Sequence, residues 1–426
     1  MIATSIFTKQ PNWKNSVYLR YKWNTTIHRG LNGKENRNAY FSWPRRSLQY
    51  TVQFNNSKER IELQNQIYFN VNSVWAIPIW MNPIEGFIYT YTDLYPVQIP
   101  IYEQFLPGQP VIIFNNADTS QYIVKTIETI ETVSGIGYRQ FDSNWVYDWP
   151  STTMYPLIQG LIDSTIRFDN ETHTVGSITI NITEKYDEDD SKFQARPYTY
   201  EKFGRFPVLD TRPNWIEKVK SNVNLQRDLM EYTGAFHVKT RQEEPDLVLE
   251  MRYDFKGREN IANFENFFNT MKGRKGRFWI PTHLRDFDVD GSLSGGASSL
   301  TLEDYSTFDN TWENQESVGS HIYIDKDDEN DSKNRVSSAG ATSLSLSNPL
   351  GISVNSNLIE KVGQSFLVPS RFDLDEIEME YLSQEFATCK IKTRSLNDPD
   401  FGLTTISTTT TTTTTTTITI TTTTTV

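Results

Sequence analysis

The residues best suited to do chemistry lie in the motif PTHLRDFDVDG at 281–291, where His283 precedes Asp286, Asp288 and Asp290. One imidazole and three carboxylates at this spacing could hold a metal ion or share a proton in acid–base catalysis. A related stretch earlier in the chain, PIWMNPIEG at 78–86, has neither the histidine nor the aspartate series. We therefore interpret the cluster as a polar loop that leaves a folded module.

Three other motifs each lack residues that their chemistry requires. The acidic run DKDDENDSKN at 325–334 resembles an EF-hand loop, but Asn330 stands where glycine is needed and Val336 where glutamate is needed. We interpret it as a hairpin tip. GSLSG has Leu293 in place of a nucleophilic serine, and SGIGYRQ at 134–140 lacks the third glycine of a phosphate-binding loop. None of the five histidines forms HExxH or a close pair, so we predict no catalytic residue, no metal site and no cofactor.

The elements that would position any site recur along the chain. QPNWKNSV near the start is echoed by RPNWIEKV about two hundred residues later. Five anchors recur in one order: Pro11, Asn12 and Trp13 with Pro213, Asn214 and Trp215; Phe54 with Phe255; Pro78 with Pro281; Gly108 with Gly319; and Arg167 and Phe168 with Arg371 and Phe372. The pattern predicts an internal duplication.

Each predicted copy has the same order of elements. An alternating strand (47–54; 247–255) precedes a short amphipathic helix, then a buried extended segment, then an insertion of short strands and a closing strand (176–183; 386–393). The apolar positions of the two helices are Ile61, Leu63 and Ile67, and Ile261, Phe264, Phe267 and Phe268.

The predicted fold class is α+β and predominantly β, with two tandem homologous modules. Module one spans 1–190 with an insertion at about 84–158, and module two spans 191–400 with an insertion at about 286–366. Each insertion is predicted to be a small SH3-like β-barrel. Residues 401–426 form a threonine-rich tail.

The buried segment of each module carries an aromatic–proline motif, VWAIPIW at 74–80 and GRFWIP at 276–281. Large aromatic rings bury much surface, and proline fixes φ and holds the neighbouring chain extended. We predict structural packing roles for Trp13, Trp75, Pro78, Trp80, Trp215, Phe278, Trp279 and Pro281. The alternative is an aromatic platform that stacks on sugars.

Composition excludes several partners. The net charge of −12 comes without a long basic run, so a nucleic-acid groove is not expected. No window reaches eighteen uninterrupted apolar residues, so no membrane insertion is expected. The single cysteine, Cys389, lies in the alternating segment CKIKT and is predicted to be a buried strand residue.

The tail from Thr404 to Val426 is almost pure threonine. A uniform β-branched run disfavours helix and cannot bury a core by itself, which is typical of a disordered linker. The alternative is a strand that orders against neighbouring subunits through ladders of hydroxyl groups. In either case we predict an assembly role for Thr408, Thr412, Thr416, Ile418 and Ile420.

These motifs together resemble a family. NAYFSWPRRSLQYTVQF at 38–54, followed by a helix and VWAIPIW, is similar to tail proteins of long-tailed bacteriophages. The insertion beginning PGQPVIIF at 107 resembles the small SH3-like barrels set into phage tail modules. The likeness covers nearly all of 11–393, twice. The second copy departs from it, because QEEPDLVLEM lacks the Pro-Arg pair and LVPSRFD replaces the YPL strand.

The resemblance implies a non-enzymatic virion protein at the tail tip, of the distal-tail or tail-hub kind, made in the cytoplasm of the host bacterium. Its implied partners are the tail tube, hub and fibres, and its implied state is a homo-oligomeric ring, a trimer or a hexamer. Two similar modules per chain would let a threefold ring match a sixfold tube. The alternatives are a tail-tip protein that binds a host surface glycan through Trp75, Trp80 or Trp279, and a hydrolase of a host polymer.

Overall fold

The computed structural model describes residues 5–30, 34–88, 94–96, 105, 107–133, 136–185, 200–225, 227–232, 235–240, 245–303, 320–327, 330–340 and 342–396. These residues form mostly β-strands together with two α-helices, which agrees with the predicted β-rich α+β class. Within the described part of the chain, no helix combines the length and the apolar character needed to cross a bilayer.

We call residues 5–185 the N-terminal module. Its strands are β1 (Ser5–Ile6), β2 (Val17–Lys22), β3 (Thr25–Arg29), β4 (Glu35–Ala39), β5 (Arg45–Phe54), β6 (Trp75–Pro78), β7 (Ile84–Ile88), β8 (Leu94–Pro96), β9 (Pro110–Asn115), β10 (Asp118–Val133), β11 (Ile136–Phe141), β12 (Trp149–Ile162), β13 (Arg167–Asn170) and β14 (Gly176–Glu184). Helix α1 (Ser57–Phe69) lies between β5 and β6.

We call residues 200–396 the C-terminal module. Its strands are β15 (Lys202–Phe203), β16 (Phe206–Pro207), β17 (Lys220–Asn224), β18 (Arg227–Tyr232), β19 (Ala235–Thr240), β20 (Asp246–Lys256), β21 (Phe278–Pro281), β22 (Ser299–Thr301), β23 (His321–Asp327), β24 (Asn330–Gly340), β25 (Ser343–Leu346), β26 (Gly363–Phe372), β27 (Glu376–Ser383) and β28 (Phe386–Ser395). Helix α2 (Arg258–Met271) and the 3-10 helix Gly273–Lys275 lie between β20 and β21.

The main sheet of the N-terminal module is built around β5, whose residues alternate between a buried and a more exposed face. Strand β5 pairs with β2 on one side and with β14 on the other, and β14 also pairs with β13 and β12. Strand β12 then pairs with β6. The period-two alternation predicted from the sequence is confirmed, because only one face of this sheet packs on the core.

The main sheet of the C-terminal module has the same order of pairings. Strand β20 pairs with β17 and β28, β28 pairs with β27 and β26, and β26 pairs with β21. The order β17–β20–β28–β26–β21 therefore repeats the order β2–β5–β14–β12–β6.

The register of these pairings also agrees. Leu157 of β12 lies opposite Pro78, and Leu367 of β26 lies opposite Pro281. Pro78 and Pro281, two of the sequence anchors, thus occupy the same position in the two sheets.

The two PNW motifs likewise make the same hydrogen bonds. The Asn12 amide donates to the Thr51 carbonyl at 2.7 Å, and the Asn214 amide donates to the Arg252 carbonyl at 2.6 Å. Each asparagine side chain also contacts the side chain two residues further along that strand.

One sequence anchor was wrong. Arg167 and Phe168 lie in β13, whereas Arg371 and Phe372 end β26, the strand that corresponds to β12. The Arg-Phe dipeptide recurs at two different places in the pairing order, so its recurrence carried no register information. Gly319 lies outside the described residues.

The predicted apolar positions of the two helices are buried, with one exception. In α2 the residues Ile261, Phe264, Phe267 and Phe268 are all buried. In α1, Leu63 and Ile67 are buried but Ile61 is 48% exposed, so its predicted core position was wrong. Ile61 is two residues from Leu63, and this spacing places it on a different face of a helix.

Each module carries an insertion with a core of its own. In the N-terminal module the inserted strands pair in the order β8–β11–β10–β9–β12–β7. In the C-terminal module the order is β22–β25–β24–β23–β26. Among the described residues no pairing joins the first strand of either series to the last. The insertions are therefore β-sheets with separate cores, without the closure that defines a barrel.

Candidate functional site

The aromatic–proline motifs form buried strands in both modules. All four residues of β6 and all four of β21 are buried. Trp75 and Trp80 are each 2% exposed and Trp279 is 1% exposed, so none of them presents a ring to solvent. Their rings pack inside the modules and offer no surface on which a sugar could stack.

The two tryptophans of the PNW motifs differ from each other. Trp13 is partly buried and packs against the main core. Trp215 is 58% exposed and the next residue, Ile216, is 90% exposed, which corrects the prediction that Trp215 packs in the interior. The motif makes the same backbone contacts in both modules, so the difference lies in what covers the ring.

The two modules join edge to edge. Strand β2 of the N-terminal module pairs antiparallel with β27 of the C-terminal module, from Val17 opposite Tyr381 to Lys22 opposite Glu376. The two main sheets are therefore continuous. Arg20 contacts Glu378 across this boundary at 2.5 Å.

A hairpin from the N-terminal module reaches across the same boundary. Strands β3 and β4, which we call the first arm, leave the module between β2 and β5. At its base the Trp23 amide donates to the Asp375 carbonyl at 2.7 Å, and the Thr25 amide donates to the Asp375 carboxylate at 2.8 Å. A Cβ on Gly273 would lie 3.0 Å from the Trp23 Cβ, so the chains approach too closely for a larger residue.

Further along, the first arm is held by a network of ion pairs. Arg29 makes a bidentate contact with Asp246 at 2.5 and 2.7 Å, and Glu35 makes one with Arg371 at 2.7 and 3.0 Å. Arg394 connects the two pairs, because it contacts Asp246 at 2.9 Å and also contacts Asp373, which Arg371 contacts too. The Asp246 side chain is fully buried, and those of Glu35 and Arg371 are 4% and 3% exposed.

The charges of this network set its protonation. Burial by itself would raise the pKa of Asp246, but the hydrogen bonds and charges of Arg29 and Arg394 outweigh it and lower that pKa. The pKa of Asp373 is lowered against the same burial effect by Arg394 and Arg371. Both aspartates are therefore ionised at neutral pH, and the arginines retain their partners.

A second buried carboxyl group lies under the β2–β27 boundary. Glu265 of α2 accepts a hydrogen bond from the Tyr381 hydroxyl at 2.6 Å. Burial raises its pKa to about 7, although hydrogen bonds from Tyr381 and Tyr21 act in the opposite direction. Tyr21 belongs to the N-terminal module and Tyr381 to the C-terminal module, so this carboxyl group contacts both.

The C-terminal module also contains a polar cleft of about 590 Å³. It lies between the segment that precedes β17, the helix α2 and the hairpin β23–β24. Its charged lining residues are Asp210, Arg212, Asp254, Lys256, Asp325 and Asp331.

Three carboxylates converge at the cleft. Oxygen atoms of Glu201, Asp210 and Asp331 lie within 4.8 Å of one another, the spacing of a set that could hold a metal ion. The Lys333 ammonium group contacts both Glu201 and Asp331 at 2.6 Å, so it already supplies a cation to this set. Burial raises the pKa of Asp210, although the Lys333 charge lowers it.

In the N-terminal module an aromatic residue takes the place of one charged residue that lines the cleft. Trp80 lies 5.7 Å from Phe114 and 4.9 Å from Tyr155, measured between ring centroids. Asp325 of β23 holds the position of Phe114 of β9 in the strand pairing. His283, two residues after Pro281, corresponds to Trp80, two residues after Pro78. The polar cleft is thus a difference between the modules.

His283, Asp286 and Asp288, considered above as a candidate constellation, do not converge on one site. Asp286 accepts hydrogen bonds from Thr282 and from the Phe366 amide, and Asp288 pairs with Arg285. Burial lowers the pKa of His283 to about 4, although the Asp325 charge raises it. A neutral histidine with its neighbouring aspartates engaged elsewhere agrees with the interpretation of this segment as a structural loop.

The remaining sequence predictions have simpler outcomes. The acidic run at 325–334 lies in the hairpin of β23 and β24, as predicted, and Asp325 is held by Arg212 at 2.7 and 2.8 Å. Cys389 is buried in β28, and burial raises the pKa of its thiol. The tail residues Thr408, Thr412, Thr416, Ile418 and Ile420 lie outside the described residues.

Sequence reasoning missed the residues that join the modules. Arg29, Glu35 and Asp246 are charged residues in polar surroundings, a pattern typical of a solvated surface. Nothing in their local spacing distinguishes them from exposed charges. Arg371 was singled out only as a repeat anchor, and its pairing with Glu35 had no sequence signal.

No known protein-family model matches this chain, and no curated protein matches it significantly.

Proposed function

We propose that this chain is a structural component of a bacteriophage tail, a distal-tail or tail-tip protein that links the tail tube to tip proteins and fibres. Its proposed location is the tail tip of the virion, its proposed state is a homo-oligomeric ring, and its role is not enzymatic. The observation that carries the proposal is the matched pairing order of two modules that join through sheet edges. The sequence resemblance to long-tailed phage proteins supplies the identity of the assembly.

The internal duplication is part of this proposal. It is supported by the shared strand order, by the opposed pairs at Pro78 and Pro281, and by the common contacts of Asn12 and Asn214. Such agreement extends over the strands, the helix and the position of the insertion in each module. We propose that both insertions descend from one SH3-like element, although neither closes into a barrel among the described residues.

The β2–β27 junction fits a protein that builds larger assemblies. A continuous sheet uses backbone hydrogen bonds, which do not depend on side-chain identity, and the first arm adds specificity through the ion pairs of Arg29 and Glu35. A unit that already contains two modules in a fixed relation halves the number of chains that a ring of modules needs.

Electron microscopy of the purified full-length chain, combined with light scattering, tests the proposal. We expect closed rings of uniform diameter, and rings that attach to the ends of purified phage tail tubes. A single monomeric species at high protein concentration, with no attachment to tubes, would contradict it.

The cleft favours a second candidate, glycan binding or hydrolysis at the tail tip. Asp210 and Asp331 both line the cleft and burial raises the pKa of Asp210, and glycosidases place two carboxyl groups in their active site. The tryptophans proposed for sugar stacking are buried, so Trp75, Trp80 and Trp279 do not support this candidate.

Titration of the chain with oligosaccharides of bacterial surface polymers tests the second candidate. It predicts binding or cleavage that Asp210→Asn weakens and that Asp163→Asn leaves unchanged, because Asp163 lies outside the cleft. Equal behaviour of both variants, or no binding at all, would remove it.

A further inference from the structure

The C-terminal module has a counterpart of β2, the strand that joins the modules, and one edge of this counterpart is paired with no described strand. Strand β17 holds the position of β2 in the pairing order, but all five of its residues are exposed. It pairs with β20 on one side, and no described strand pairs with its other side. In β2, by contrast, Val17, Leu19 and Tyr21 are fully buried beside β27.

The N-terminal module has the complementary edge. Strand β13 holds the position of β27, because it pairs antiparallel with β14 as β27 pairs with β28. On its other side no described strand pairs with it. One molecule therefore carries a joined pair of edges, β2 with β27, and the same two kinds of edge to which no described strand is paired.

We propose that β17 of one molecule pairs antiparallel with β13 of a second copy and repeats between molecules the junction that β2 and β27 make within one. The inference rests on the proposed function, since it treats the two modules as equivalent units. What covers the β17 edge is identified by the chain itself, because β27 covers the matching edge of β2.

The register of the intermolecular pair follows from the internal one. Tyr18 lies opposite Glu380 at the internal junction. Lys220 of β17 corresponds to Tyr18 of β2, since Lys220 lies opposite Glu250 and Tyr18 lies opposite Gln49. Asp169 of β13 corresponds to Glu380 of β27, since Asp169 lies opposite Ser177 and Glu380 lies opposite Thr388. The intermolecular pair that corresponds to Tyr18 and Glu380 is therefore Lys220 with Asp169.

The chemistry of this pair suits the register. Opposite charges across an antiparallel pair stabilise it, and Lys220 and Asp169 carry opposite charges. The side chain of Lys220 is 68% exposed and that of Asp169 is 47% exposed, so both can be reached by a second molecule.

Exposed apolar side chains surround the β17 edge. Val223 lies in β17 and is 62% exposed, and Leu225, directly after the strand, is 59% exposed. Trp215 and Ile216, which precede the strand, are 58% and 90% exposed. An open strand edge flanked by apolar side chains promotes association, and soluble proteins usually protect such edges with charges or cover them. A second copy paired along β17 would cover apolar side chains of this edge, as β27 covers the matching edge of β2.

The C-terminal module also has its own arm. The hairpin of β18 and β19 leaves between β17 and β20, just as β3 and β4 leave between β2 and β5. In the described part of the chain it pairs with no other strand. We assign it the role that the first arm has within the chain, which is to reach across the boundary onto the next module.

The contact is head-to-tail, because the edge that each molecule offers differs from the edge that it receives. A contact of this type closes into a ring or continues as a filament, depending on the rotation between copies. Each chain would then contribute two modules to one unbroken series.

Disulfide cross-linking of the full-length chain tests the register. The variants Lys220→Cys and Asp169→Cys are purified separately, mixed and oxidised. Directly opposed residues have Cβ atoms about 4.5–5.5 Å apart, whereas diagonal neighbours are about 7–8 Å apart. The matched control is therefore Lys220→Cys mixed with Arg167→Cys, the diagonal position of the same strand. The native Cys389 is buried and adds little background.

We expect the opposed mixture to give about tenfold more disulfide-linked dimer than the diagonal mixture, because a disulfide requires Cα atoms less than about 7 Å apart. As a positive control, Tyr18→Cys combined with Glu380→Cys in one chain should form the internal equivalent. Rings in electron micrographs without cross-linking of the opposed mixture would overturn this interface and leave the proposed function standing. Absence of both rings and cross-links would overturn both.

Discussion

Replacement of Glu35 by glutamine tests the ion-pair network that joins the modules. Glu35 lies in the first arm and Arg371 in the C-terminal module, and their side chains are 4% and 3% exposed. The contact is bidentate, at 2.7 and 3.0 Å. Glutamine keeps the size of the side chain and one hydrogen-bond acceptor but removes the negative charge.

The expected loss of stability follows from what Arg371 keeps. Removing one partner of a buried ion pair costs about 3–5 kcal/mol, because the other charge remains buried without compensation. Here Arg371 retains Asp373 at 3.0 Å and the Phe372 carbonyl at 2.9 Å. We therefore expect the lower end of that range, about 3 kcal/mol in the free energy of unfolding.

Glu376→Gln provides a matched control at the same boundary. Glu376 contacts Lys22 at 3.7 Å across the β2–β27 pair, but the two side chains are 44% and 62% exposed. Exposed pairs contribute about 0–1 kcal/mol and are screened by salt. Urea unfolding followed by tryptophan fluorescence and circular dichroism, at low and at high salt, measures both variants.

The free energies of unfolding of Glu35→Gln and Glu376→Gln can contradict this reasoning. If Glu35→Gln costs no more than Glu376→Gln, or if its effect disappears at high salt, the network is not a buried determinant of the junction. If Glu35→Gln lowers the free energy of unfolding as expected but the first arm stays protected from proteolysis, the pair stabilises one module and does not hold the two modules together.

Three further predictions concern other parts of the chain. The pKa of Glu265 is raised from 4.5 to about 7, so its contribution to stability is complete below pH 4.5 and is lost as the pH rises through 7. Glu265→Gln should remove this dependence, worth up to about 3 kcal/mol, in urea unfolding between pH 4.5 and 8.5. Gly160→Ala should lower the free energy of unfolding by about 1–3 kcal/mol, because the added Cβ would overlap the Thr183 carbonyl. The control Gly296→Ala adds a Cβ in open space and should leave the stability almost unchanged. Thermal unfolding measures both variants. Cys389, buried with a raised thiol pKa, should react with a thiol reagent only after the protein unfolds, as followed by absorbance.

Each of these has an opposing outcome. A Glu265→Gln variant with an unchanged pH profile would place the titration elsewhere. Equal stability of the two alanine variants would mean that the strand at Gly160 moves aside at no cost. Rapid labelling of Cys389 in the native protein would show that β28 opens readily.

The sequence alone predicts the alternating strands at 47–54, 176–183, 247–255 and 386–393 and their buried faces. The segment around Phe54 alternates in polarity, and the matching segment around Phe255 repeats it, so the period of the side chains fixes which face is buried. The positions of Pro78 and Pro281 follow in the same way, because apolar and proline residues constrain their own local backbone.

The sequence alone misplaced residues whose surroundings come from elsewhere in the chain. Trp13 and Trp215 have the same local motif, yet one is partly buried and the other is largely exposed. The Arg-Phe dipeptide at Arg371 was matched to the one at Arg167, and this match was wrong because two residues carry too little information to fix a register.

Only the tertiary structure decided which charges meet. Arg29 meets Asp246 217 residues away and Glu35 meets Arg371 336 residues away, each in the other module. A charged side chain has no periodicity that identifies its partner. The same limit applies to Glu201, Asp210 and Asp331 at the cleft. The spacing of neighbouring residues predicts which side chains are buried, whereas the pairing of charges depends on long-range packing. The sequence therefore determined the two β-rich modules, and the packing of one against the other determined how they are joined.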